Sequence, residues 1–596
     1  MHDPGDILIR AEDGPVWWRF RSPSAVVQAR AAEEAPAALA EAAKAVDGGG
    51  LAAVGFLTYE ASPGFDQALV CRPAGPLPAV WFGLYERAEP LAVLPVAAPS
   101  RPEPLTWEPN VGYEEYRQAI RRVKAYIATG DTYQVNYTLR LRAPFAGDPA
   151  ALFAALWQAQ RAEYCAYVHI GDHVICSASP ELFFRLHGET VLSRPMKGTA
   201  PRGRTLEEDE ENARALAASE KDRAENVMIV DMIRNDLGRI ARVGSVRVPR
   251  LFTVERYDTL FQMTSDVEAE VAVGFPELMG ALFPCASITG APKVRTMEII
   301  RELEPDPRGI YTGCIGYLLP GRRARFSVAI RTVHVDLDAG RAEYGTGGGI
   351  VWDSTEEGEY EECHTKALIL LQQKPEFQLL ETLLWEPDKG YALLERHLSR
   401  LAASARYFGF ALDPDSVRRR LAAVAQGFGD GPQRVRLLVG RAGEVSVEAA
   451  PLPPPADRPW RVGVAKRPVD PKDRFLYHKT THRAIYEQAK ADFPNHDDVL
   501  LWNPQGEATE STIANLVVRL GGELVTPPVS CGLLPGTLRA ELLNTGQVRE
   551  RVVTLTELAA AEEVWLVNSV RGWIRVQVDW PQGSVPGSAP GQEPRS

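Results

Sequence analysis

The sequence has 596 residues, which at roughly 100–200 residues per domain implies about three or four domains and excludes a peptide-sized or disulfide-stapled fold. Its 66 basic and 78 acidic residues leave a net charge of -12, which repels phosphate backbones and anionic lipid and excludes nucleic acid as an expected partner. With 45% hydrophobic residues and no apolar run near the roughly 18 residues of a membrane span, no membrane association is expected. The start, Met1-His2-Asp3-Pro4, lacks a basic region followed by an apolar stretch, which points to a cytoplasmic protein.

In chain order, an Ala/Glu-rich helical stretch from Ala31 to Ala45 is followed by apolar strand-like runs at Leu51–Tyr59 and Ala79–Tyr85. Prolines across residues 92–110 stop regular structure and predict a surface connector after a first segment, 1–91. From Tyr113, strands and helices alternate over 111–372 without a strict βαβ rhythm, which favours a large α+β domain, 1–372 in all. Its longest helical pattern runs from about Glu207 to Ile240. A second domain, 376–580, opens with the strand-like FQLLETLLW and the helical GYALLERHLSRLAASARYFGF, then alternates strands to Trp573. The Pro/Gly/Ser-rich stretch 581–596 is predicted to be a disordered tail.

Seven cysteines without a CxxC pair argue against both a disulfide framework and a zinc site. Only 12 of the 66 basic residues are lysines, so each internal one invites a question. Glu225 shares a helical stripe with Met228, Ile229 and Met232, and a carboxylate there needs either an ion pair with an arginine or a metal. Glu359 and Glu362 lie one turn apart at the start of another helix, where they suit the macrodipole, a pair with Lys366, or Mg²⁺. Four glycines in Gly345-Thr346-Gly347-Gly348-Gly349 fit either a bulge or a backbone that approaches an anion. Lys197, in Ser193-Arg194-Pro195-Met196-Lys197-Gly198-Thr199, sits in a turn after a strand; it is either solvated or a nucleophile whose amine is kept neutral by its surroundings.

Ser179-Pro180-Glu181, the PMKGT element, Lys221-Asp222-Arg223-Ala224-Glu225-Asn226, Ser287-Ile288-Thr289-Gly290-Ala291-Pro292-Lys293, Gly316-Tyr317 and the glycine-rich segment follow one another in the order seen in a known family. The first domain resembles the chorismate-utilising anthranilate, isochorismate and aminodeoxychorismate synthases. The resemblance implies an α/β sandwich-type domain and a Mg²⁺ held by Glu225 and Glu362, with Glu359 nearby through water. It implies that Arg331 and Tyr317 hold the enolpyruvyl carboxylate, that the backbones of Thr289, Gly290, Gly347, Gly348 and Gly349 line the site, and that Glu181 assists loss of the 4-hydroxyl. Anthranilate and isochorismate enzymes resemble PIAGT or PLAGT at the PMKGT element, whereas aminodeoxychorismate synthases resemble PIKGT. Lys197 therefore implies attack by its amine on ring C2 and later displacement by ammonia at C4. Gln262 stands where several relatives have His, and as an amide it transfers no proton. No GxCxG glutaminase elbow is present, so a separate glutamine amidotransferase subunit is the expected source of ammonia.

In the second domain, Lys479 follows the strand-like Phe475–His478 and precedes the helical THRAIYEQAKA, which allows either a Schiff-base lysine or an ordinary helix flank. Arg400 lies on a helix, Gly536-Thr537 feed a helix N-terminus that suits an anion, and Glu510 stands just before a strand. In this order the segment resembles the class IV aminotransferases, fold type IV of the pyridoxal-phosphate enzymes, which include 4-amino-4-deoxychorismate lyase. The resemblance implies that Lys479 carries pyridoxal 5'-phosphate, that Glu510 meets its pyridine nitrogen, and that Arg400, Gly536, Thr537 and Ser569 hold its phosphate. A homodimer through this domain is an expected assembly. The fusion implies a bifunctional enzyme that converts chorismate and ammonia to 4-aminobenzoate and pyruvate. The alternatives are an anthranilate-type synthase joined to a transaminase and a synthase carrying a non-catalytic C-terminal scaffold.

Overall fold

A computed structural model describes residues 3–12, 17–96, 105–370 and 375–580. The predicted tail and part of the predicted connector lie outside the described residues. Contacts divide the chain into two units, one of residues 1–201 and 213–374 and one of residues 202–212 and 375–596. Among the described residues no helix is long and apolar enough to cross a membrane, and all seven cysteines are free.

The first unit is built on two ten-stranded sheets, every pair antiparallel, which accounts for the missing βαβ rhythm. Alternating side chains meet between them: Ile7, Ile9 and Val168 from one sheet pack with Val54, Phe56 and Ile315 from the other. Helices cover both outer faces. Ala35–Gly49, Glu220–Gly238 and Phe275–Leu282 lie on the second sheet, while Tyr113–Ala128, Pro149–Gln160 and Glu356–Ala367 lie on the first. The result is a four-layer sandwich whose two hydrophobic faces per sheet are all buried.

The single helix predicted from Glu207 to Ile240 is two helices, Leu206–Ala218 and Glu220–Gly238. Ser219 separates them: its backbone is extended and its side chain accepts from the Asp222 N–H at 3.3 Å, a capping arrangement that starts a new helix. The buried stripe of the second helix runs through Asn226, Ile229, Val230, Ile233 and Leu237, which leaves Glu225 at its edge.

In the second unit, the strands Leu379–Glu386, Gln433–Val439 and Val445–Pro451 form a small antiparallel sheet with Gly390–Tyr391. The amphipathic helix Leu394–Phe408 packs on it through Leu398, Leu401 and Ala405. A larger eight-stranded sheet contains parallel pairs around Trp460–Val464. It closes on itself where Ala508–Ser511 pairs with Asn515–Leu520 as well as with Asp498–Trp502.

One buried charge set ties the first unit together. Glu304, 2% exposed, accepts from Arg308 at 2.7 and 3.0 Å and from the Thr138 N–H and hydroxyl at 3.0 and 2.8 Å, with Arg140 at 3.6 Å. Removing the carboxylate strands two buried guanidiniums. Glu304→Ala is therefore expected to destabilise this unit by about 3–5 kcal/mol, read by urea dependence of hydrogen exchange in the strand Gln134–Pro144.

Candidate active sites

In the first unit a cavity of about 290 Å³ is lined by Glu181, Lys197, Glu225, Arg331, Gly347, Gly349, Glu359 and Glu362. Lys197 does not stand in a turn. It lies in the edge strand Met196–Pro201, at an irregularity between the pairs Met196–Thr264 and Thr199–Gln262. A bulge of this kind re-aims a side chain off the sheet, and here it delivers the amine to Gly349, where a Cβ would come within 2.7 Å of Nζ. Gln262 donates to the Gly198 carbonyl at 3.0 Å, and Asn226 Nδ2 donates to the Lys197 carbonyl at 3.4 Å, so both side chains brace the bulge.

Desolvation lowers the pKa of the Lys197 amine, against the pull of Glu225 in the other direction. Glu181 is buried, and desolvation pushes its carboxyl up to about 7 even though Ser287 Oγ donates to it at 2.6 Å. The cavity therefore pairs an amine that is easily made neutral with an acid that is easily kept protonated.

Burial also raises Glu225 and Glu359, and the cations acting on Glu225 are Lys197 and Lys221 rather than an arginine. Glu362 is held below its usual range, because Lys366 at 2.6 Å outweighs the desolvation that raises it. Among the described residues no three acidic, histidine or cysteine side chains converge closely enough to enclose a metal by themselves. Carboxylates from two helices around one cavity nevertheless fit Mg²⁺, which takes one or two such ligands and fills its shell with water and substrate oxygens.

The remaining expected groups divide. Arg331 enters the cavity from a left-handed backbone (φ 50°), and its guanidinium donates to Gln160. Tyr317 does not line the cavity; it packs between the sheets, its ring 5.2 Å from that of Trp18. Of two tyrosines six residues apart, Tyr317 lies within the strand Cys314–Leu319, and it is Tyr311, just before that strand, that shares the cavity with Arg331. Thr289 and Gly290 stand behind the wall, Thr289 accepting from the Asn136 N–H at 2.8 Å and Gly290 pairing with Val135. Ser287 and Ile288 line the cavity in their place. Gly348 faces Glu359: a Cβ there would lie 2.7 Å from Glu359 Oε2.

The second unit holds a cavity of about 470 Å³ that gathers Arg400, Lys479, Glu510, Gly536, Thr537 and Ser569. Phe475–His478 is not a strand: Arg474–Leu476 is a 3-10 turn, and the helix after Lys479 begins only at Ala484. Glu510 lies within the strand Ala508–Ser511 rather than before one. Desolvation, with Arg400 adding to it, brings the Lys479 amine down to about 8. Glu510 is raised by burial to about 7 while it accepts from Tyr486 Oη at 2.8 Å and Asn515 Nδ2 at 3.2 Å.

These residues fit pyridoxal phosphate. Gly536 has no room for a Cβ, which would meet Asn515 Oδ1 at 1.8 Å, and it caps the helix Thr537–Asn544 so that free N–H groups face the cavity. In the same cavity the buried Glu510 carboxyl, also held by the Leu534 N–H at 3.2 Å, suits a cationic ring nitrogen.

Residues 8–372, more than half of the chain, match the chorismate binding enzyme family. The chain belongs to that family. Residues 378–578 match the class IV amino-transferases. Over 262 residues the chain is 44% identical to aminodeoxychorismate synthase component 1 of Salmonella typhimurium, covering 44% of this chain and 57% of that protein. Over 261 residues it is 42% identical to anthranilate synthase component 1 of Thermus thermophilus, covering 44% of this chain and 56% of that protein. The chain thus spans just under three fifths of these relatives' length. A solved isochorismate synthase from Bacillus anthracis aligns at a TM-score of 0.52 and 22% identity, over 62% of this chain and 95% of that one, and shows a shared fold.

Beyond the family's motifs, sequence reasoning missed Glu381 and His397 in the class IV domain. Glu381 holds Arg400 through two hydrogen bonds of 2.8 and 2.6 Å and accepts from His397 Nδ1 at 2.7 Å. His397 Nε2 in turn faces the hydroxyls of Ser569 at 3.0 Å and Thr537 at 3.3 Å. Burial alone would raise Glu381, but Arg400 and His397 outweigh it and hold the carboxyl at about 2. The one signal in the sequence was His397 beside Arg400 on an apolar helix face. Glu381→Gln removes the charge that fixes Arg400 and His397 while keeping the size of the side chain, and is expected to weaken pyridoxal phosphate binding by roughly 10-fold or more, measured by fluorescence titration of the cofactor.

Proposed function

We propose that the chain makes 4-aminobenzoate from chorismate and ammonia in two steps, one per cavity. The first aminates chorismate to 4-amino-4-deoxychorismate; the second removes pyruvate. The observation that carries this reading is Lys197, an amine of lowered pKa brought by a bulged strand into one cavity with Glu181 and Arg331.

At the first site, Arg331 and Tyr311 hold the enolpyruvyl carboxylate, while Glu225 and Glu362 hold Mg²⁺, with Glu359 through water. The ion supplies positive charge for the ring carboxylate. Neutral Lys197 attacks C2, both conjugated ring double bonds shift by one bond, and the C4 hydroxyl leaves as water with the proton of Glu181. Ammonia then attacks C4, both double bonds return to their first positions, and Lys197 departs from C2. The relatives are named as component 1, which supports a separate glutamine amidotransferase subunit as the source of ammonia.

At the second site, Arg400, Thr537, Ser569 and the backbone at Gly536 hold the phosphate of pyridoxal phosphate, and Glu510 pairs with its pyridine nitrogen. When bound, the cofactor supplies an electron sink at the carbon bearing the amine. Lys479 keeps the cofactor between turnovers and, near its pKa of about 8, takes the proton from C4. Arg434, Arg436 and Arg571 line the same cavity and give it the positive field that a dicarboxylate needs. Loss of the C4 proton and of the enolpyruvyl group makes the ring aromatic.

Incubation with chorismate, Mg²⁺, ammonium and pyridoxal phosphate is expected to yield 4-aminobenzoate and pyruvate, identified by mass spectrometry. Lys197→Ala is expected to lower this by about three orders of magnitude or more, and anthranilate as the product would overturn the reading. The first half-reaction, followed without ammonia as the Lys197–chorismate adduct, needs Glu181 protonated. Its rate is therefore expected to fall as pH rises through about 7, and Glu181→Gln is expected to slow it and abolish that descending limb.

A further inference from the structure

Lys479 stands in neither a helix nor a strand. It falls between the 3-10 turn Arg474–Leu476 and the helix Ala484–Ala491, and its neighbour Thr480 makes an isolated bridge to Leu379. A lysine that must meet one carbon of a cofactor is placed by such a stretch only if other groups hold it. One hold is close at hand: the Lys479 carbonyl accepts from the Leu380 N–H at 3.0 Å. The other comes from outside residues 378–578, the stretch that matches the class IV amino-transferases, and is made by residues 202–212 of the same unit.

Those residues begin with a tight, buried loop. Arg202 donates to the two oxygens of Asp209 at 2.6 and 3.0 Å, and the Gly203 N–H donates to the same carboxylate at 3.0 Å. The loop closes so tightly that a Cβ on Gly203 would lie 2.2 Å from the Asp209 nitrogen. Closed in this way, it offers two carbonyls to the cofactor unit: Gly203 accepts from Tyr407 Oη at 2.6 Å, and Arg204 accepts from His478 Nε2 at 3.2 Å. The Tyr407 ring stacks on the His478 imidazole with centres 4.2 Å apart, and Ser404 Oγ lies 3.0 Å from His478 Nδ1.

These partners fix the imidazole. A carbonyl only accepts, so Nε2 carries the proton and Nδ1 takes that of the serine. Burial lowers the His478 pKa to about 3, so the ring adds no positive charge beside an amine that must lose its own. Ser404 and Tyr407 also ride on the helix Leu394–Phe408, which carries His397 and Arg400. Loop, helix and lysine are thereby joined by hydrogen bonds into one frame.

We infer that residues 202–209 are a positioning element of the pyridoxal phosphate site and set Lys479 through His478 and Tyr407. The inference rests on Lys479 as the cofactor lysine. The loop follows directly on the strand Met196–Pro201, so the single stretch 197–209 holds the nucleophile of one site and the anchor of the other.

Three variants of the full chain test this. His478→Phe keeps a ring against Tyr407 but has no donor for the Arg204 carbonyl, His478→Gln keeps a donor near the place of Nε2, and Tyr407→Phe removes the hydroxyl that Gly203 accepts from. His478→Phe is expected to raise the dissociation constant for pyridoxal phosphate by about fivefold or more. It is also expected to move the midpoint of the pH titration of the bound cofactor's absorbance by about half a pH unit or more. Tyr407→Phe shifts both in the same direction by less, and His478→Gln returns both toward the parent. Parent-like affinity and midpoint in a folded His478→Phe variant, or a His478→Gln variant no better than His478→Phe, overturns the anchor. Should the His478 variants not fold, Tyr407→Phe decides, and parent-like values there overturn it. A parent chain that binds no pyridoxal phosphate overturns the cofactor site and the anchor together, whereas one that binds it and releases no pyruvate overturns the proposed reaction alone.

Discussion

An amine can attack a carbon or take a proton only while it is uncharged, and a lysine exposed to water at neutral pH is almost entirely protonated. Both cavities answer that constraint by withdrawing water. Desolvation is the largest influence on Lys197 and on Lys479, and in each case it works against a nearby carboxylate that favours the charged form. The same loss of water acts in the opposite sense on the acids: Glu181 and Glu510 are both lifted to about 7. One physical cause thus prepares a base and an acid side by side, and the sequence differences between the cavities decide what each pair does.

Holding such groups apart from solvent requires rigid supports. In the first unit the support is an edge strand with a local irregularity, braced by Gln262 and Asn226 and backed by Gly349. In the second it is the closure of the larger sheet: Glu510 and Asn515 are paired residues of adjoining strands, and the Asn515 amide also donates to the Leu534 carbonyl at 2.8 Å. Strand pairing, the carboxyl and the loop leading to the helix Thr537–Asn544 are therefore one assembly. Glu381 extends the same logic within that cavity, where a single carboxylate fixes Arg400 and, through His397, two hydroxyls.

The residues most legible in the sequence were those whose chemistry is unusual for their position. Lys197 stood out in a chain poor in lysine, Glu225 beside methionines, and the glycine-rich strand by composition. All three line one cavity or its wall. Less legible were residues whose role depends on partners far away in the chain. Glu381 reads as an ordinary polar position in an alternating strand, and only the fold shows it to be buried against a helix. Tyr311 and Tyr317 differ by which side of a strand's start they occupy, a distinction that only the sheet register resolves. The split at Ser219 was masked because both flanking segments carry strong helical patterns.

Arg331 adopts a left-handed backbone that side chains other than glycine rarely take, at a site where its charge is also desolvated. Such a conformation costs on the order of 1 kcal/mol or more, and the surrounding sheet must supply it. A glycine there would relax the backbone and remove the guanidinium that lines the cavity, which the proposed chemistry needs for substrate. Selection for thermal resistance alone would therefore favour a chain that folds better and turns over less, so durability and turnover pull this position in opposite directions.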